Sequence, residues 1–167
     1  LGNKNINLYG EGYIEDILGE YKFKISPMSF YQVNPVQAEI LYNTAIEAAQ
    51  LSQEDTLFDL YCGIGTIGIF ASKKVKQVYG IEIVEQAIED AKENAKINNV
   101  QNAEFICGDV EFAFDELINK KKIIPTAIIV DPPRKGLDAK TIQNILKIKP
   151  EKLVYISCNP ATMVRDI

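Results

Sequence analysis

Two short segments carry the residues best suited to chemistry: Asp131-Pro132-Pro133-Arg134 and Ser157-Cys158-Asn159-Pro160, each placed where an apolar run ends. Carbon 5 of a pyrimidine is a poor nucleophile until carbon 6 has been attacked. A thiol at one strand end and a carboxylate at another therefore point to a pyrimidine-modifying site. Cys158 is the candidate nucleophile. Asn159 suits a helix cap and Pro160 a first helical position, and the positive end of a helix beside a thiol favours the thiolate. Thiolate addition to carbon 6 would place enolate character on carbon 5 and oxygen 4, so that carbon 5 can take a sulfonium methyl in line; loss of the carbon 5 proton and expulsion of the thiol close the cycle. Arg134 can neutralise developing charge or hold a phosphate, with a surface ion pair as the alternative. Cys62 and Cys107 read as structural cysteines.

A second set of residues has the pattern of a nucleotide site. Gly63-Ile64-Gly65-Thr66-Ile67-Gly68 follows an apolar strand and opens a helix, so its backbone can turn tightly and approach a ligand. Glu82 ends the next strand, about 20 residues on, where a carboxylate can accept both hydroxyls of a ribose. Asp109, after the third strand, lies on the same edge and either contacts adenine or caps the helix that begins at Val110. Dinucleotides and S-adenosylmethionine both satisfy this spacing. Asp131-Pro132-Pro133 tilts the choice to S-adenosylmethionine, because nucleotide methyltransferases often carry an acidic or amide residue and two prolines at that strand end.

These residues need a scaffold with all its strand ends on one edge. From Thr56 onward apolar runs alternate with helical patterns, the signature of an α/β fold with a parallel sheet and helices on both faces. Strands are expected at 56–61, 77–81, 103–106, 127–130 and 152–157, and helices at 67–74, 84–98, 110–119 and 139–148. In a sheet ordered 3-2-1-4-5, Asp131 and Cys158 end adjacent strands about 4.8 Å apart. The first fifty residues form a separate lead-in segment (1–50) before the core (51–167). In it, Gly10-Glu11-Gly12 reads as a hairpin turn between strands at 6–9 and 13–17, with a third strand at 21–25. Asn34-Pro35-Val36-Gln37 starts a helix reaching Gln50, whose Ile40, Leu41, Ala45 and Ala48 would face the sheet.

The 167 residues are 47% hydrophobic and fit one domain. No apolar run approaches the ~18 residues of a membrane span, and three cysteines without metal spacing fit a reducing, cytoplasmic setting. Histidine is absent, which excludes Cys-His and Ser-His dyads and most zinc sites within the chain. The net charge of -5 gives no global attraction to nucleic acid, so RNA affinity has to come from local patches or other domains. Lys120-Lys121-Lys122 reads as a solvated helix end.

Phe30-Tyr31-Gln32-Val33-Asn34-Pro35, Phe58-Asp59-Leu60-Tyr61-Cys62-Gly63, Asp131-Pro132-Pro133-Arg134-Lys135-Gly136 and Ser157-Cys158-Asn159-Pro160 together resemble the RNA uracil-5-methyltransferase family, and more closely its bacterial 23S ribosomal RNA members. The resemblance implies a class I, Rossmann-like, S-adenosylmethionine-dependent methyltransferase domain that modifies uridine in ribosomal RNA, or in transfer RNA. It implies cofactor contacts at Gln32, Tyr61, Glu82 and Asp131, with Gly63 and Gly65 or Thr66 beside the cofactor's amino acid portion. Many relatives carry Asn where this chain has Thr66. The resemblance also implies that the proton-accepting carboxylate and the last two strands follow Ile167, and that an RNA-binding domain, in some members with an iron-sulfur cluster, precedes Leu1. A piece without them is expected to turn over poorly or not at all. Two rival readings are an amino-group methyltransferase, which would carry an aromatic where Arg134 stands, and a non-catalytic cofactor-binding module.

Overall fold

The computed structural model describes residues 6–167; residues 1–5 of the lead-in segment lie outside the described residues. Five strands form the central sheet: β3 (Thr56–Leu60), β4 (Gln77–Glu82), β5 (Ala103–Cys107), β6 (Ala127–Val130) and β7 (Lys152–Tyr155). All neighbours run parallel in the order β5-β4-β3-β6-β7, which is the expected 3-2-1-4-5 arrangement. Every strand therefore delivers its carboxyl end to the same edge. α1 (Pro35–Ala48), α2 (Thr66–Ala71), α3 (Glu85–Ile97), α4 (Val110–Phe114), α5 (Ala139–Ile148) and α6 (Pro160–Asp166) complete the chain, with a 3-10 turn after α2 and a π turn after α4.

Alternation along the central strands sorts side chains to two cores. Leu57, Ala127 and Ile129 join α1, α2 and α3 on one face, while Phe58, Leu60, Ile128 and Val130 join α4 and α5 on the other. Both faces are covered, so β6 reads as a continuous apolar run, and β3 is buried along its length but for its first residue.

The structure corrects two expectations for the lead-in segment. No strand forms at residues 6–9; the hairpin pairs β1 (Ile14–Leu18) with β2 (Tyr21–Ile25), turning at Gly19-Glu20. The reason is burial. Leu8 and Tyr9 are exposed, and the Asn7 side chain satisfies this segment's backbone instead, donating to the Gly10 carbonyl (2.7 Å) and accepting the Tyr9 N–H (3.2 Å). Tyr21 and Phe23, by contrast, pack on Phe70 of α2 with ring centroids 4.9 and 6.4 Å apart.

α1 starts as expected, with the Asn34 side chain accepting the Gln37 N–H at 3.2 Å and Pro35 at the first turn. Its buried face, however, is Ala38, Tyr42, Ala45 and Ile46, whereas Ile40 and Ala48 are exposed. Tyr42 decides this rotation by meeting Phe70 edge-on at 5.8 Å. α1 packs on α2 and on β1 of the hairpin. The lysine run at residues 120–122 is a solvated helix end: Lys120 pairs with Glu116 and Asp115, and Lys121 with Glu104.

Candidate active site

At the carboxyl end of β3 the chain turns through Tyr61-Cys62-Gly63-Ile64-Gly65 into α2. Gly65 has φ +81°, and a Cβ there would sit 2.8 Å from the Phe105 ring and 3.1 Å from Ala91, so only glycine fits. The Gly63 N–H donates to Glu82 Oε2 at 3.3 Å, and Glu82 Oε1 accepts the Val84 N–H at 2.9 Å. The carboxylate at the end of β4 is thus aimed by two backbone donors, with lone pairs left over for a diol. Thr66 is buried at the start of α2 beside the Tyr42 hydroxyl, which burial pushes up to about 12. Gln32 is half-buried in the loop before α1, and that loop closes on the glycine turn: a Cβ on Gly63 would lie 3.8 Å from the Phe30 carbonyl oxygen.

Two of the nominated residues have structural work. Asp109 caps α4, accepting the Phe112 N–H at 2.8 Å, and is otherwise exposed. Tyr61 adopts φ +64° and packs against the second core, its hydroxyl lying beside Thr141 and Asp138 of α5; burial raises its pKa. Asp109 thus makes the helix cap expected on one reading of the sequence, and the Tyr61 ring packs toward α5.

Sequence reasoning missed Asp59. It is fully buried on the α2 side of β3, where Oδ2 accepts the Gly68 N–H at 2.8 Å and Oδ1 has no partner. Burial pushes its carboxyl up to about 8, with Asp131 and Glu82 adding to the effect. One carboxyl group inside Thr56-Leu57-Phe58-Asp59-Leu60 was the available signal, because a strand buried on both faces has no polar side.

On the other side of β3, Asp131 follows β6 and Cys158 follows β7, and these strands are neighbours through Val130 and Tyr155. Burial lifts Asp131 to about 6. Cys158 is exposed, as are Cys107 and Arg134, while Cys62 is buried and its thiol is pushed well up by desolvation. Asn159 caps α6 by accepting the Ala161 N–H at 3.2 Å, with Pro160 at the first turn. α6 is knotted to the loop after Asp131. Asp166 Oδ2 accepts the Leu137 N–H and the Tyr155 hydroxyl, each at 2.7 Å, and Arg165 donates to the Lys135 carbonyl at 2.9 Å. Gly136, at φ +79°, has no room for a Cβ because Asp166 and Arg165 fill the space. The segments bearing Asp131 and Cys158 are thereby one unit. Among the described residues, no group of three or more His, Cys, Asp or Glu side chains is arranged to hold a metal ion, and no helix is long and apolar enough to cross a membrane.

Comparison with known proteins agrees with this geometry. Residues 6–167 match the sequence profile of the tRNA (uracil-5-)-methyltransferases. The chain belongs to that family. RNA methyltransferases of Clostridium tetani and Caldanaerobacter subterraneus are 51% and 50% identical to it over 167 residues, covering the whole chain but 36% and 37% of those proteins. The chain thus spans about a third of the length of these curated relatives. In structure it is similar to the Pyrococcus abyssi tRNA (uracil-54, C5)-methyltransferase solved with S-adenosyl-L-homocysteine: the TM-score is 0.77 at 34% identity, over 95% of this chain and 38% of that one. The Methanocaldococcus jannaschii tRNA m1G37 methyltransferase, at 20% identity and TM-score 0.60 over 87% of this chain and 42% of that one, shares the fold. The fold shared with the Pyrococcus abyssi enzyme accounts for the sheet order.

Proposed function

We propose that this chain binds S-adenosylmethionine and carries the nucleophile of an enzyme that methylates carbon 5 of uridine in RNA. The observation that carries the reading is the adjacency of β6 and β7, which puts a half-buried carboxyl group and an exposed thiol on neighbouring strand ends. The cofactor supplies an activated methyl as its sulfonium. The residues present fit it: Glu82 is oriented for a ribose by Gly63 and Val84, and among the described residues the Asp59 Oδ1 beneath α2's first turn has no partner. Gln32, Tyr61, Thr66, Asp109 and Asp131 complete the contacts that the family resemblance implies, in a core of residues 51–167 preceded by the segment to residue 50.

Cys158 adds to carbon 6 of the uracil, which makes carbon 5 nucleophilic toward the methyl. Asp131 lies between cofactor and pyrimidine, and its raised pKa lets it hold a proton near pH 6 against the base edge. Arg134 is free for charge or phosphate. Our reading takes the RNA as ribosomal. Transfer RNA is the second reading, favoured by the family's name and the Pyrococcus enzyme. Exposed thiols at Cys107 and Cys158 fit work in a reducing compartment such as the cytoplasm.

The test is mass spectrometry of 5-fluorouridine-containing ribosomal and transfer RNA incubated with S-adenosylmethionine and the full-length protein. Fluorine at carbon 5 blocks the final proton loss, so a methylated covalent adduct accumulates; Cys158→Ala should abolish it. An adduct surviving in Cys158→Ala, or methylation of an amino group without any adduct, would overturn the assignment. The RNA that yields the adduct identifies the substrate class.

A further inference from the structure

We propose that Asn94 is a positioning residue for the cofactor turn, joining it to the hairpin and thereby to the loop that carries Gln32; this rests on the reading of this edge as an S-adenosylmethionine site. β2 uses one edge to pair with β1 and presents the N–H and C=O groups of Lys22 and Lys24, and the N–H of Ser26, to α3. Among the described residues no strand meets that edge. Asn98, Asn94 and Asp90 meet it instead, a side-chain row on one face of α3. Asn98 accepts from Lys22 N–H (2.9 Å) and donates to its carbonyl (2.7 Å). Asn94 does the same with Lys24, at 2.7 and 3.1 Å. Asp90 accepts from Ser26 N–H (2.9 Å), Ser26 Oγ and Ser29 Oγ (both 2.7 Å). The periods match: four helical residues advance about 6.0 Å and two strand residues about 6.7 Å. A helix here plays the part of a third strand.

Asn94 alone in this row reaches further. Its second amide hydrogen is donated to the Ile64 carbonyl at 3.3 Å, inside Gly63-Ile64-Gly65, and its side chain is fully buried. Both of its amide hydrogens are therefore in use, one on the hairpin side and one on the turn side, and its oxygen accepts from Lys24. Glu82 holds the turn from the Gly63 N–H and Asn94 holds it from the next residue's carbonyl. The far side of the same row ends on Ser29, one residue before Phe30, whose carbonyl faces Gly63. The turn and the Gln32 loop are thus referenced to one helix.

Asn98 supplies the control, since it makes the same pair of strand bonds and does not touch the turn. In the full-length protein, Asn94→Ala and Asn98→Ala should both lower Tm, since each leaves strand groups unpaired. Only Asn94→Ala should weaken S-adenosylhomocysteine at least tenfold by calorimetry below both Tm values, with Asn98→Ala within twofold of wild type. Only Asn94→Ala should speed amide exchange at Gly65 and Gly68, whose own acceptors, the Cys62 carbonyl and Asp59, are untouched. Unchanged exchange at these amides in a folded Asn94→Ala protein overturns the proposal, as does an equal loss of affinity in the two variants. A wild-type protein that binds no S-adenosylhomocysteine sinks the cofactor reading, while the exchange result still decides the coupling.

Discussion

The two ends of β3 each carry an aspartate, and the two are held in opposite ways. Asp55, just before the strand, accepts from Ser52 N–H and Oγ, Thr126 Oγ1 and Lys152 Nζ, the last at 2.6 Å, and these partners hold its carboxyl at about 2 against the effect of burial. Asp59, at the other end, has one backbone donor, an orphan oxygen and a carboxyl pushed up to about 8. One strand thus separates a saturated corner from an under-satisfied one. The saturated corner ties β3, β6 and β7 together at the edge away from the site. The under-satisfied one lies at the carboxyl edge, where ligands bind in open α/β sheets. The two corners therefore differ in how fully their carboxyl groups are satisfied, and only the carboxyl edge keeps one with an acceptor to spare.

The largest break at the functional edge is Gly65→Ala. It adds a Cβ against Phe105 at a backbone angle that disfavours any side chain, a cost of about 3 to 4 kcal/mol. We expect a large fall in Tm and loss of S-adenosylhomocysteine binding by calorimetry. Asp59→Asn sharpens the contrast through pH. The folded carboxyl titrates at about 8 and the unfolded one near ~3.9, so the native state holds an extra proton between those values. Wild-type stability is fully present below that window and falls as pH rises through it. Urea melts should show the variant gaining on wild type from pH 5 to 8.5, on the order of 4 kcal/mol in all, with no further gain above.

Lys152→Met tests the opposite edge with the opposite sign. Removing the lysine leaves Asp55 buried with its neutral donors alone, at a cost of about 2 kcal/mol, below a fully buried pair because Lys152 is partly exposed. The Asp55 contribution is present above the unfolded carboxylate range and is lost as pH falls toward about 2. The variant's deficit in thermal melts should therefore shrink below pH 4, while cofactor affinity stays at the wild-type level. Lys120→Ala is the smallest change. Its carboxylate partners are solvent-exposed neighbours, and Tm and affinity should both be unchanged within error.

Legibility in the sequence followed the same division. The sheet from Thr56 onward was readable because its strands are apolar runs punctuated by prolines and Asn98-Asn99, and the strand-end residues Glu82, Asp131 and Cys158 could be located from that frame alone. Asp59 was not singled out, since one carboxyl group inside a strand looks like ordinary alternation until both faces are known to be covered. Asn94 was invisible for a related reason: an amide on a helix reads as solvent-facing, and only the hairpin's position shows what it meets. The hairpin's true turn, Gly19-Glu20, is hidden in the sequence because Gly10-Glu11-Gly12 offers a stronger turn signal beside a segment with nothing to bury.

The knot between α6 and the loop after Asp131 leaves room for diversification. Asn159 reaches the Arg134 carbonyl, Arg165 the Lys135 carbonyl and Asp166 the Leu137 N–H, so the contacts on the loop side all fall on main-chain atoms. Any residue type at 134, 135 or 137 supplies them, apart from a proline at 137. The side chains at 134 and 135 can therefore be exchanged without loosening the helix that follows Cys158, whereas Gly136, next in the chain, is held to glycine by its φ of +79°. The surface chemistry of this loop can change while the contacts that hold α6 stay in place.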